Sequence, residues 1–149
     1  MKGIHREVRY DHPPELVWRA LTDPTVLAKW LMNAEGLEAR VGCSFRFRMP
    51  PKPGFDGVIY CTVKEAEPCR RFVYTWASGR SLKRPTTVAW TLHPDADGTR
   101  LVLDHDGFEG LSGFLLRAML GGGWARKMER AIPPLLDDLG ARELRERTA

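Results

Sequence analysis

Pro13-Pro14-Glu15-Leu16-Val17-Trp18-Arg19-Ala20-Leu21-Thr22-Asp23-Pro24-Thr25-Val26-Leu27-Ala28-Lys29-Trp30 reads as two short amphipathic helices in direct succession. Val17, Ala20 and Leu21 share one helical face, and Leu27, Trp30 and Leu31 share the next. Pro14 suits a first helical turn, where a missing N–H costs nothing. Asp23-Pro24 stops the first helix and starts the second. Before this pair, Ile4 to Tyr10 alternates as a first strand, with Ile4, Arg6, Val8 and Tyr10 on one face. After it, strand patterns run to about residue 106 and a helix closes the chain. Strand, helix pair, strands and final helix together predict an α+β fold in which a sheet curls around a helix.

Outward from the helix pair, Gly36 to Val41 is predicted as a short strand ended by Gly42. Ser44 to Met49 alternates cleanly, with Phe45, Phe47 and Met49 opposite Arg46 and Arg48. Three prolines make 50–54 a loop. Gly57 to Ala66 is predicted as a longer strand carrying Ile59, Cys61, Val63 and Glu65 on one face. Phe72 to Trp76 is aromatic and β-branched. Ser78 to Pro85 is a polar, basic connection. Thr86 to Leu92 aligns Val88, Trp90 and Leu92, and Thr99 to His105 aligns Leu101, Leu103 and His105, with 93–98 as the turn between them. Residues 111–120 form an apolar short helix or lid, and Gly121-Gly122-Gly123 a flexible joint. From Trp124 the apolar spacing is helical to Gly140, interrupted by Pro133-Pro134, which predicts a kink near Glu129–Arg130. The charged tail from Arg142 is expected to fray.

The chain has 149 residues, enough for one domain with a real core, and no linker or repeat divides it. It is 43% hydrophobic and 28% charged, within the range of globular proteins. The net charge of +4 rests on 17 arginines against 6 lysines, without a basic run or a stripe of interleaved aromatics, which argues against specific nucleic-acid binding. Cys43, Cys61 and Cys69 are odd in number and widely spaced, as for reduced thiols in a cytoplasmic protein. No signal-like segment follows Met1-Lys2-Gly3, and no apolar run approaches the ~18 residues of a membrane helix. The expectation is a cytoplasmic protein, with no membrane partner.

The strand, helix pair, strand series and final helix resemble the helix-grip superfamily, also called START-like or SRPBCC. Within it the chain is most similar to the family of activators of the heat-shock protein 90 ATPase. The resemblance rests on Pro14 to Pro24 with Trp30, on Gly36, Val41-Gly42 and Phe45, and on Pro68 to Trp76. It continues through Gly98 to His105 and Gly123-Trp124. It implies a curved antiparallel sheet of six or seven strands around a C-terminal helix, with a cavity between them. The activators proper also carry a separate N-terminal domain for which this chain has no room, so co-chaperone activity does not carry over.

On that fold the sheet's concave face would hold Phe45, Phe47, Glu65, Tyr74, Trp76, Trp90 and His105, faced by Trp124 and Met128. These residues either line a pocket for a small hydrophobic or aromatic molecule or fill an ordinary core. Glu65 and His105 are the polar members, able as a pair to orient a ligand or move a proton. Residues 107–123 would form the gate. The histidines show neither H-x-H nor H-E-x-x-H spacing, so neither a metal nor another cofactor is implied. No nucleophile elbow or P-loop occurs. Arg46, Arg48, Arg70, Arg71, Arg80, Lys83 and Arg84 form either a solvated surface or a dock for an acidic partner. Three functions remain: a ligand-binding module, a chaperone-associated or stress-response interaction module, and a cyclase, aromatase or hydrolase. The chain would act as a monomer or homodimer.

Overall fold

The computed structural model describes residues 2–79 and 82–148. Strand β1 (Ile4–Tyr10) leads into helices α1 (Pro14–Thr22) and α2 (Pro24–Trp30). Strands β2 (Asn33–Glu35), β3 (Ser44–Arg48), β4 (Val58–Glu67), β5 (Arg71–Trp76), β6 (Thr86–Asp95) and β7 (Gly98–Asp106) follow. Helix α3 (Gly110–Arg126), a π-helical turn (Lys127–Ala131) and α4 (Ile132–Thr148) complete the chain. The seven strands form one sheet in the order β1-β7-β6-β5-β4-β3-β2, with every pairing antiparallel. This is the helix-grip arrangement. The first strand closes on the last, placing Ile4 opposite His105 and Tyr10 opposite Thr99.

The helix pair forms as its sequence predicts. Val17, Ala20, Leu21, Leu27 and Trp30 are buried, and the Asp23 side chain caps α2 by accepting from Thr25 N–H at 2.9 Å. Pro24 leaves the Ala20 carbonyl without its helical donor, and the Trp30 indole N–H supplies one at 2.8 Å. The same logic recurs at the other end of the chain. Ile132 N–H donates to the Lys127 carbonyl, five residues back. Continuing that pattern would pair Met128 with Pro133, which has no N–H. The Tyr10 hydroxyl donates to the Met128 carbonyl instead, at 2.6 Å. The predicted kink is thus a π turn, produced by Pro133-Pro134 and stitched to β1.

Four expectations are corrected. The short strand lies at Asn33–Glu35 rather than 36–41, because Gly36 takes a φ of 78° that turns the chain out of the strand. Gly121-Gly122-Gly123 is no joint but part of continuous α3. There tertiary packing overrides propensity: Gly121 lies against Arg6 and Ile4, and Trp124 is buried. The tail is helical to Thr148, supported by an Arg142–Asp138 pair at 3.0 Å. Within β4 the register slips between Val63 and Glu65, so Ala66 rather than Glu65 stands opposite inward-facing Phe72. The β5–β6 connection is exposed at 82–84; its residues 80 and 81 lie outside the described residues.

Candidate functional site: an aromatic interior around His105

Alternation along β3, β5, β6 and β7 sends Phe45, Phe47, Tyr74, Trp76, Trp90 and His105 to the inner face, where all are buried. Trp124, near the end of α3, and Met128, in the π turn, are buried against them. The rings meet mostly edge to face. Trp124 stands 5.5 Å from Trp76 and 5.4 Å from Trp90, while Phe45 stands 5.4 Å from Tyr74. Phe47 is tilted against Trp76 at 5.7 Å. These separations are ordinary aromatic contacts, so the rings fill the space they enclose.

Eight of the nine predicted residues are therefore brought together, and Glu65 is not. The β4 bulge turns Glu65 to the outer face, opposite Val73, where its carboxylate accepts from the Arg71 guanidinium at 2.8 Å. His105 lies on the inner face, so the sheet itself separates the proposed carboxylate–imidazole pair. Single-residue periodicity cannot detect a bulge that shifts the alternation partway along a strand.

His105 has other partners. The Trp124 indole N–H donates to His105 Nδ1 at 3.1 Å. An indole nitrogen has no acceptor role, so Nδ1 is unprotonated and the ring proton resides on Nε2. Nε2–H then donates to Thr86 Oγ1 at 2.7 Å, and the Thr86 hydroxyl donates to the Trp76 backbone carbonyl at 3.0 Å. Each member of this chain is satisfied in one direction only. Burial disfavours the imidazolium and pushes the His105 pKa down to about 3. Protonation would also set Nδ1–H against the Trp124 N–H. Phe108 closes the other side, with its ring 4.7 Å from the imidazole.

Deeper in the interior, Trp90 Nε1–H donates to the Tyr74 hydroxyl at 3.1 Å. Burial raises the pKa of Tyr74 and of Cys61, so both remain protonated. Thr86, Phe108 and Trp30 are site neighbours that the sequence reading did not name. Thr86 was within reach, because it shares the inward parity of Val88 and Trp90.

The basic side chains of the outer face are largely paired. Glu35 serves Arg48 at 3.1 Å and Arg46 at 3.9 Å, Glu65 serves Arg71, and Glu109 serves Arg84 at 3.3 Å. Arg80 lies outside the described residues. Two concave features lie away from the aromatic interior. One of about 600 Å³ lies over outward residues of β3–β5, including Arg46, Tyr60, Thr62, Lys64 and Thr75. Another of about 440 Å³ lies between His12–Leu16 and the last helix. Among the described residues, no group of three or more His, Cys, Asp or Glu side chains is arranged to hold a metal ion.

A seven-stranded antiparallel sheet gripping a C-terminal helix over an aromatic interior defines a helix-grip protein. The chain belongs to the family described as activator of Hsp90 ATPase homolog 1-like protein, which matches it over residues 11–131. Its fold is similar to that of protein MLL2253 from Mesorhizobium loti, with 28% identity and a TM-score of 0.78 over 95% of this chain and 98% of that one. CalU16 from Micromonospora echinospora shares 26% identity, with a TM-score of 0.72 over 97% of this chain and 82% of that one. The Aha1 dimer from Colwellia psychrerythraea shares 22% identity, with a TM-score of 0.76 over 91% of this chain and 96% of that one. A comparison with curated proteins found no match.

Proposed function

We propose that this protein binds a small, flat, mostly apolar molecule between its sheet and its C-terminal helix, with Trp124 as the group that yields. The position of Trp124 carries this reading. Its ring touches Trp76, Trp90 and His105, and it occupies the centre of the aromatic interior. Three successive glycines precede it and the π turn follows it almost at once. Both neighbours are weak helix: each glycine costs about 1 kcal/mol relative to alanine, and a π turn is a strained spacing.

Withdrawal of Trp124 would free two things together: the volume of an indole, and His105 Nδ1 as an acceptor. A ligand with a flat apolar body and one N–H or O–H group meets both. Phe45, Phe47, Tyr74, Trp76, Trp90 and Met128 would form the walls. This assignment retains the sequence expectation for every residue except Glu65. With Glu65 on the outer face, the enzyme alternative loses the acid–base pair on which it rested.

The test is native mass spectrometry of the freshly purified protein beside a denatured extract. A discrete added mass that disappears on denaturation supports the reading. A clean apo mass, with no thermal stabilisation by a panel of lipids and aromatic acids, overturns it. Gly122→Ala sharpens the test. A Cβ at Gly122 meets nothing within 4 Å, so the change stiffens α3 without a clash. It should raise stability by about 0.5–1 kcal/mol and slow ligand uptake in stopped-flow tryptophan fluorescence.

A further inference from the structure

Arg117 stands where an amphipathic helix places a leucine. It precedes Trp124 by seven residues of α3, which puts the two within about 20° of each other around the helix axis, on the same inner face. Gly113 and Gly121, one turn to either side of Arg117, are buried on that face, and Leu116 and Leu120 beside it pack against the core. The outer stripe of α3 is apolar instead: Leu115 is 61% exposed and Met119 67%. Hydrophobic partition alone would exchange these positions, so it does not account for an arginine turned inward.

Arg117 is half-buried, its Nε is dry, and it has no hydrogen-bond or ion-pair partner among the described residues. No carboxylate is placed to supply one. The sequence contains no acidic residue between Glu109 and Glu129, and Glu109 is engaged by Arg84. The buried polar side chains among the described residues are Thr86, Thr99 and His105, none of them acidic. A second cation approaches the same face from β1, where Arg6 alternates in step with buried Ile4 and Tyr10. A Cβ at Gly121 would stand 3.3 Å from the Arg6 guanidinium. Arg6 donates to the His5 carbonyl and has no carboxylate partner among the described residues. A partly desolvated guanidinium with a second cation about one turn away costs stability until an anion arrives.

Helix α3 touches the surroundings of His105 on both sides of Arg117. A Cβ at Gly113 would stand 3.2 Å from the Phe108 backbone, and the Phe108 ring lies 4.7 Å from the imidazole. From the other side the Trp124 indole donates to His105 Nδ1. We infer that Arg117 is the anion anchor of the ligand site, and that the ligand is a flat aromatic acid with a hydroxyl or N–H at one end and a carboxylate at the other. This rests on the reading that Trp124 yields to a ligand. The hydroxyl or N–H would meet His105 Nδ1, and the carboxylate would take paired N–H donors from Arg117. Seven residues of helix separate Trp124 from Arg117 by about 10 Å, which sets the two polar ends apart by the length of two linked aromatic rings.

Titration calorimetry tests this with a biphenyl carboxylic acid that bears a hydroxyl at the opposite para position, beside its carboxamide. The wild type should bind the acid at least about tenfold tighter than the carboxamide. Arg117→Gln should erase that preference, chiefly by weakening the acid. Read without any ligand, Arg117→Leu should raise the melting temperature by roughly 2–4 °C, because the protein sheds an unpaired cation. Equal binding of acid and carboxamide to the wild type, or a preference that survives Arg117→Gln, overturns the anchor and leaves the pocket standing. Binding of neither molecule overturns the pocket and the anchor together. A lower melting temperature for Arg117→Leu would give the guanidinium a structural role and overturn the anchor as well.

Discussion

An imidazole held between an indole N–H and a threonine hydroxyl has one tautomer that satisfies all three groups, and His105 is in that position. Its folded pKa, about 3, lies below its ordinary value of 6.5. As pH falls below 6.5 the unfolded chain takes up a proton that the folded chain refuses until about pH 3. The stability tied to neutral His105 is therefore complete above pH 6.5 and is lost progressively down to about pH 3, at no more than about 1.4 kcal/mol per pH unit. His105→Leu removes this titration and leaves the buried Trp124 N–H without its acceptor, at a cost of about 1–3 kcal/mol at neutral pH. Urea denaturation across this range should show the gap between wild type and variant narrowing as pH falls. A constant gap would mean that the folded imidazole titrates normally. At the same scale, the sequence identified His105 as a polar residue among apolar ones but paired it with the wrong partner. Parity along one strand located the imidazole, whereas the bulge that removes Glu65 depends on how β4 pairs with β5.

Two proline interruptions shape the helical elements, and each hands an orphaned carbonyl to an aromatic side chain. Asp23-Pro24 and Pro133-Pro134 are legible as breaks because proline lacks an N–H wherever it occurs. Their remedies are not legible. Trp30 reaches back ten residues to the Ala20 carbonyl, and Tyr10 reaches 118 residues along the chain to that of Met128. Tyr10→Phe should keep the ring packing and lose only the O–H donor to this buried carbonyl. The expected cost is about 1–3 kcal/mol, read from chemical denaturation, with faster amide exchange around 127–131. An unchanged stability would mean that water or a shifted turn takes over the carbonyl. The glycine triplet shows the opposite relation between sequence and element. Its intrinsic preference is for a joint, but packing of its neighbours on β1 and in the aromatic interior holds it helical.

The molecule as a whole depends on one interior that joins the sheet to both helical regions. Trp90 bridges them, edge-on to Trp30 of α2 at 6.1 Å and to Trp124 of α3 at 5.4 Å, with its N–H on Tyr74. Trp90→Ala should therefore cost about 3–5 kcal/mol through the cavity it leaves. Thermal unfolding should remain a single transition at lower temperature, and separate transitions for the helix pair and the sheet would contradict a shared core. Sequence alone determined the order of the elements, the helix pair and the inward set on most strands, because periodicity and proline chemistry act over a few residues. It also located the eight side chains that meet inside. Only the tertiary structure decided that Glu65 faces outward, that the glycines are helical, that His105 bonds Trp124 and Thr86, and that α3 leaves an apolar face uncovered. Each of those depends on strand register or on contacts between segments far apart in the chain, and neither is encoded in the spacing of residues along one element.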